Sequence, residues 1–126
     1  MKAFLIFVAL FAIALCKSVN VTEVKETKRD HNIDVCQNQY ANILVLRTEI
    51  TVRPGDGVVS RTVIWPDGGA VNKRRITCIL VQDRVENGLG GYASLKRGGL
   101  GQYEVEILLE SQPSLGFDFL ITIYTE

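Results

Sequence analysis

Between Gly88 and Gly101 the chain reads GLGGYASLKRGGLG, six glycines and two basic residues in fourteen positions. Its first part, Gly88 to Ala93, matches G-x-G-x-x-A, the pattern of a loop whose backbone amides hold a dinucleotide pyrophosphate. That chemistry needs a helix beginning right there, because the helix N-terminus supplies the amides and the partial positive charge. Here Ser94, Leu95, Lys96 and Arg97 are followed by three more glycines, so no helix can begin. No G-x-x-x-x-G-K-[ST] stretch occurs either. The glycines instead predict two turns flanking a short strand around YASLK, since glycine supplies positive φ and permits close backbone approach. No cofactor is expected.

The remaining chemical candidates are sparse. His31, the single histidine, stands in the charged run KRDHN, which predicts a solvated side chain. With no second histidine, neither a Ser–His–Asp nor a Cys–His arrangement has support. Asp83 and Glu86 lie near turns, and their mutual geometry is not written in the sequence. The one basic cluster, Asn72-Lys73-Arg74-Arg75, reads as a solvated hairpin loop or as a contact patch for sulfated sugars, phosphate or an acidic partner. Trp65, beside Pro66, reads as a core aromatic at a strand end or as a binding platform. No catalytic residue is expected, and the chain reads as non-enzymatic.

The elements that must position these residues are strands. YANILVLRTEITV (residues 40–52) and VVSRTVIW (58–65) are rich in β-branched residues, and RPGDG between them has turn chemistry. WPDGG follows as a second turn, and RRITCILVQD (74–83) as a third strand. In QYEVEILLE, Tyr103, Val105 and Ile107 alternate with Glu104 and Glu106. In GFDFLITIYTE, Phe117, Phe119, Ile121 and Ile123 share one face, with Asp118, Leu120 and Thr122 opposite. A period of two with one polar face predicts half-buried antiparallel strands. The expected fold is all-β, a single antiparallel β-sandwich or a small barrel. At 126 residues the chain has room for one domain with one core. Lys plus Arg equal Asp plus Glu at 14 each, so no global field argues for direct binding of nucleic acid or an anionic membrane.

The N-terminus carries an address. MKAFLIFVALFAIALCKS has one charge at Lys2 and then an apolar run to about Cys16. That run is short of the ~20 residues of a membrane span and suits a cleaved signal peptide. Cleavage is expected after Cys16, or alternatively after Ala14, giving a secreted, extracellular protein without a membrane span. Residues 17–35 then read as a polar tail, and 36–126 as a single β-rich domain. The tail holds the only N-glycosylation acceptor, Asn20-Val21-Thr22, and a dibasic pair, Lys28-Arg29. Of three cysteines the mature chain keeps Cys36 and Cys78, which in a secreted protein predict a disulfide. On the chain-entropy model it contributes up to ~4 kcal/mol. Two cysteines and one histidine are too few for a structural zinc site, so no metal is expected.

The second half of the chain carries a resemblance. Gly90-Gly91-Tyr92-Ala93-Ser94, Gly98-Gly99-Leu100-Gly101, Glu110-Ser111 and GFDFLITIY from Gly116 through Phe117 and Phe119 to Tyr124 closely resemble the C-terminal signature of a family of insect secreted proteins. The family is named after multiprotein bridging factor two, a transcriptional co-activator. The name implies a bridge between a DNA-bound regulator and the general transcription machinery. Many members are instead small secreted or salivary proteins, and a signal peptide agrees with these. The resemblance implies no catalytic residues. The expected function is that of a saliva, venom or haemolymph protein binding an unidentified extracellular protein through a β-sheet surface. The alternatives are the co-activator, and a carrier of a small apolar ligand held between the sheets. Oligomeric state stays open.

Overall fold

Apolar side chains at every second position can be buried only if strands stack with those faces together, and the chain solves this with two sheets. The computed structural model describes residues 29–37 and 42–126. The expected signal peptide, the Asn20 acceptor, Lys28 of the dibasic pair, and Tyr40 and Ala41 lie outside them. Seven strands follow in order: β1 (Ile33–Cys36), β2 (Ile43–Val52), β3 (Ser60–Trp65), β4 (Ile76–Asp83), β5 (Tyr92–Gly98), β6 (Val105–Glu110) and β7 (Phe117–Thr125). A four-stranded sheet runs β1-β4-β7-β2 and a three-stranded sheet β3-β6-β5. Every pairing is antiparallel. The fold is therefore an all-β sandwich of two separate sheets, and the closed-barrel alternative is set aside.

Register decides which residues meet in the middle. Strand β7 pairs with β4 on one side and β2 on the other, so Ile121 stands between Val81 and Thr48. The odd-numbered side chains Phe117, Phe119, Ile121 and Ile123 point inward and are essentially inaccessible. Val105, Ile107 and Leu109 of β6 meet them from the other sheet, joined by Ile76, Ile79 and Val81 of β4 and by Ala93 of β5. Fully burying each large apolar side chain stabilises the fold by roughly 1.5–3 kcal/mol. The rings of Phe117 and Phe119 sit 5.4 Å apart and tilted, an arrangement aromatic pairs favour.

Three irregularities keep the pattern inward. The β4–β7 register shifts between Ile76 and Cys78, and the extra residue lets Ile76 and Ile79, of opposite parity, both face the core. Similar shifts occur in β2 between Leu44 and Leu46 and in β5 between Leu95 and Arg97. Tyr103, expected on the buried face beside Val105, instead precedes β6 and is 44% exposed. The reason is the preceding turn, where the Gly99 amide bonds the Glu104 carbonyl and the Gln102 amide the Gly99 carbonyl.

The polar tail ends earlier than its composition suggests. Residues 33–35, read from sequence as its last three, form most of β1, because Ile33 and Val35 pack against the core. Cys36 stands directly across from Cys78 in the β1–β4 ladder, and the two form the disulfide.

Gly116 shows how tightly the strand ends meet. A Cβ there would lie against the Val52 carbonyl oxygen and the backbone of Arg53 and Pro54, whereas one at Gly55 would meet open space. Gly116→Ala is therefore expected to destabilise the protein by about 1–3 kcal/mol, read as a lower thermal midpoint. Gly55→Ala should leave that midpoint unchanged within about 0.5 kcal/mol.

Candidate functional site

The glycine-rich stretch builds turns rather than a phosphate cradle. Asn87 and Gly88 both have positive φ (67° and 72°), the geometry that Asn-Gly pairs favour. The Gln112 side-chain amide then donates to the carbonyls of Gly88 (2.7 Å) and Gly90 (2.9 Å), pinning the loop. Gly91 has no room for a side chain, since a Cβ would press on the Glu110 carbonyl, Phe117 and Phe119. Gly98 combines φ of 71° with direct backbone contact to Glu104. The Gly101 amide bonds the Ile76 carbonyl (2.9 Å), and the Ile76 amide bonds the Gln102 carbonyl (2.8 Å), which stitches the β5–β6 turn to β4 of the other sheet. Ser111 prolongs the β3–β6 ladder: its amide donates to Val59, and its hydroxyl accepts the Val59 amide, both at 2.8 Å. YASLK becomes the body of β5, as the sequence implied. These residues make the architecture.

His31 is not the solvated side chain its surroundings in the sequence suggest. Its Nδ1–H donates to the Gly91 carbonyl at 2.7 Å, and Asp83 Oδ2 lies 3.5 Å from the same nitrogen. Tyr92 stacks on the imidazole (4.9 Å between centroids), and the Arg29 guanidinium lies 4.2 Å from the tyrosine ring centre. Arg29 also pairs with Glu110 at 2.8 Å. The Ala93 amide bonds the Asp30 carbonyl, and the Asp83 amide bonds the Asn32 side chain. Residues 29–32 thus strap the β5 edge to the β1 edge. Asp83 is further occupied at Oδ1 by the Val85 amide. A Cβ on Gly90 would collide with this carboxylate, so glycine there is what lets Asp83 sit where it does. The arrangement uses its ionisable groups as fasteners.

The basic cluster is largely committed to structure as well. Arg75 donates to the Gly101 carbonyl at 2.9 Å and lies 5.3 Å from the Tyr103 ring centre. Its amide bonds the Glu126 carboxylate at 3.2 Å. The Arg74 backbone amide donates to Asn72 Oδ1 (3.0 Å), while the Asn72 side-chain NH2 donates to the carbonyls of Arg74 and Tyr103. Lys73 alone of the three cations makes no ion pair or hydrogen bond among the described residues. Trp65, at the end of β3, packs against the core.

The opposite end of the sandwich carries a different feature. Val52, Pro54, Val85, Leu89, Leu115 and Phe117 line an open recess of about 390 Å³. Beside it, Arg84 donates to Glu49 (2.8 Å) and Asp118 (2.7 Å). Those hydrogen bonds, to Glu49 first, raise its pKa further above the usual arginine range, so it stays charged. The space between the sheets, where a carrier would hold its ligand, is occupied by the core side chains. Periodicity reports only which residues turn inward, and so it gives no sign of a recess assembled from three loops.

Residues 35–125 match the family model described as Transcription activator MBF2. A protein of Bombus ignitus named "Probable salivary secreted peptide" is 36% identical over 100 residues, covering 79% of this chain and 72% of that protein. No solved structure matches the chain. The matched span takes in nearly every strand, from the middle of β1 to the end of β7.

If Arg75 fastens two sheets while Lys73 only meets solvent, the two should respond differently to truncation. Arg75→Ala is expected to lower unfolding free energy by about 1 kcal/mol, and Lys73→Ala by less than about 0.5 kcal/mol. Urea denaturation of the two variants checks this.

Proposed function

The chain belongs to the family described as Transcription activator MBF2, and from that premise we propose that it is a secreted, non-enzymatic insect protein that works by binding another extracellular protein. The address is supported by the Cys36–Cys78 disulfide, a bond that persists in oxidising compartments and is rare in the nucleus. It is supported too by the relative named as secreted and salivary. The binding mode is carried by one observation, the outer face of the three-stranded sheet.

Three strands in register give that face a grid. Leu108 occupies its centre, between Thr62 on β3 and Ser94 on β5. One row away stand Ile64, Glu106 and Arg97; the row on the other side is Ser60, Glu110 and Tyr92. Ile64 is 49% exposed. An apolar centre inside a polar and charged surround is the common anatomy of a protein–protein interface. A face carried on three hydrogen-bonded strands also keeps its side chains ordered before binding, which lowers the entropic cost of association. Under this reading the disulfide and the glycine stitches serve to hold the grid rigid outside the cell.

The family description brings a second reading, a co-activator acting on transcription, and the two make opposite demands on the chain. Intact-mass measurement of the full-length gene product made in insect cells separates them. The secreted reading expects the protein in the medium, without its first sixteen residues and two hydrogens lighter before reduction than after. A full-length, reduced protein confined to the lysate would favour the co-activator. For the binding face, Ile64→Lys with Leu108→Lys should abolish cross-linking to a partner in saliva or haemolymph. Both side chains point away from the core, so the thermal midpoint should shift by only a few degrees.

A further inference from the structure

We propose that the recess at the β2–β7 end of the sandwich is a binding site for a small anionic amphiphile of the medium-chain carboxylate class. Its wall takes the alkyl chain, and Arg53 takes the headgroup. This site is separate from the sheet face and does not rest on the binding function assigned to it.

Size and lining come first. At about 390 Å³ the recess lies within the range of small-molecule sites. Its apolar wall is aliphatic but for Phe117, which is itself almost wholly buried. Leu89 at its margin is 53% exposed, so an apolar ligand would cover a side chain that water now meets.

The walls are also held in place without a ligand. Leu89 lies between Gly88 and Gly90, whose carbonyls both accept from the Gln112 side chain. The Leu115 amide bonds the Gln112 carbonyl at 3.1 Å. The segment after β4 is tied down by the Arg84 amide on the Asp118 carbonyl at 2.9 Å. Gly116 seats the start of β7 directly on the Val52 carbonyl. A pre-formed apolar site of this kind loses little order when filled.

Charge then selects the headgroup. Asp118, which lines the recess, is already satisfied by Arg84 and by the Thr51 hydroxyl at 3.1 Å. Arg84 in turn is shared between Asp118 and Glu49. Arg53 also lines the recess, yet makes no ion pair or hydrogen bond among the described residues. A guanidinium with no partner among the described residues, beside an aliphatic wall, favours a carboxylate, which it can bind through two parallel hydrogen bonds.

Methyl NMR titration of the secreted protein with octanoate and with octanol tests the assignment. Octanoate should shift the Val85, Leu89 and Leu115 methyl resonances saturably and bind more tightly than octanol. Arg53→Gln should weaken octanoate about tenfold and leave octanol unchanged. Leu89→Ser should weaken both about tenfold, and dispersed spectra of both variants confirm that they fold. The site is refuted by shifts that do not saturate or that spread over both sheets. Equal affinity for acid and alcohol, or an Arg53→Gln variant that still prefers the acid, refutes the headgroup assignment.

Discussion

The structure depends on one packing constraint: the odd-numbered side chains of β7 must lie against Val105, Ile107 and Leu109 of β6. Strand β7 is the centre of its sheet, with β4 and β2 as neighbours, and β6 is the centre of the other. Burial of Phe117, Phe119, Ile121 and Ile123 is therefore a property of both sheets at once. The geometry tolerates no filler. Gly91 lies where any side chain would press on Phe117 and Phe119, so the beginning of β5 approaches the core as bare backbone.

That constraint explains the placement of the irregular features. Of consecutive strands only β5 and β6 pair with each other; β1 and β2 lie at opposite edges of one sheet, and the links β2–β3, β3–β4, β4–β5 and β6–β7 each pass from one sheet to the other. Non-local pairing leaves many loop ends to be fastened, and the chain fastens them with backbone. Gly101 and Gln102 bond Ile76 at one end, Ser114 bonds Gly57 and Arg84 bonds Asp118 elsewhere, and Asp30 bonds Ala93 along an edge. Bonds of this kind satisfy donors that would otherwise be stranded near the core. The family signature is thus mainly a description of these junctions. Its members Gly91, Gly98 and Gly116 are positions where a Cβ has nowhere to go, and Ser111 is a ladder extension.

Once the core and its fasteners are accounted for, the surfaces that remain are those free to vary with function. The strap at residues 29–32 closes one edge with His31, Tyr92 and Arg29, which engages the single histidine of the chain. The basic cluster is mostly spent on the Gly101 turn and the C-terminal strand end. What stays open is the outer face of β3, β6 and β5 away from that strap, and the recess beside Arg53. Both belong to a disulfide-bonded sandwich.

The sequence by itself determined the all-β class, the inward face of β7, the absence of a helix after Gly91 and the family resemblance. These follow from local rules: period-two alternation reports burial, and glycine placement reports turns whatever the rest of the chain does. It was less informative about boundaries. Tyr103 alternates in step with Val105 yet falls outside the strand, because the turn hydrogen bonds at Gly99 take precedence over pattern. Ile33 and Val35 sit in a polar stretch too short to show a period, yet they complete a sheet edge. Only the tertiary structure decided the strand order, the facing of Cys36 with Cys78, the packing of His31 on Tyr92 and the recess. Each of those arises from residues far apart in the chain, brought together when seven short strands bury their apolar faces in one shared core.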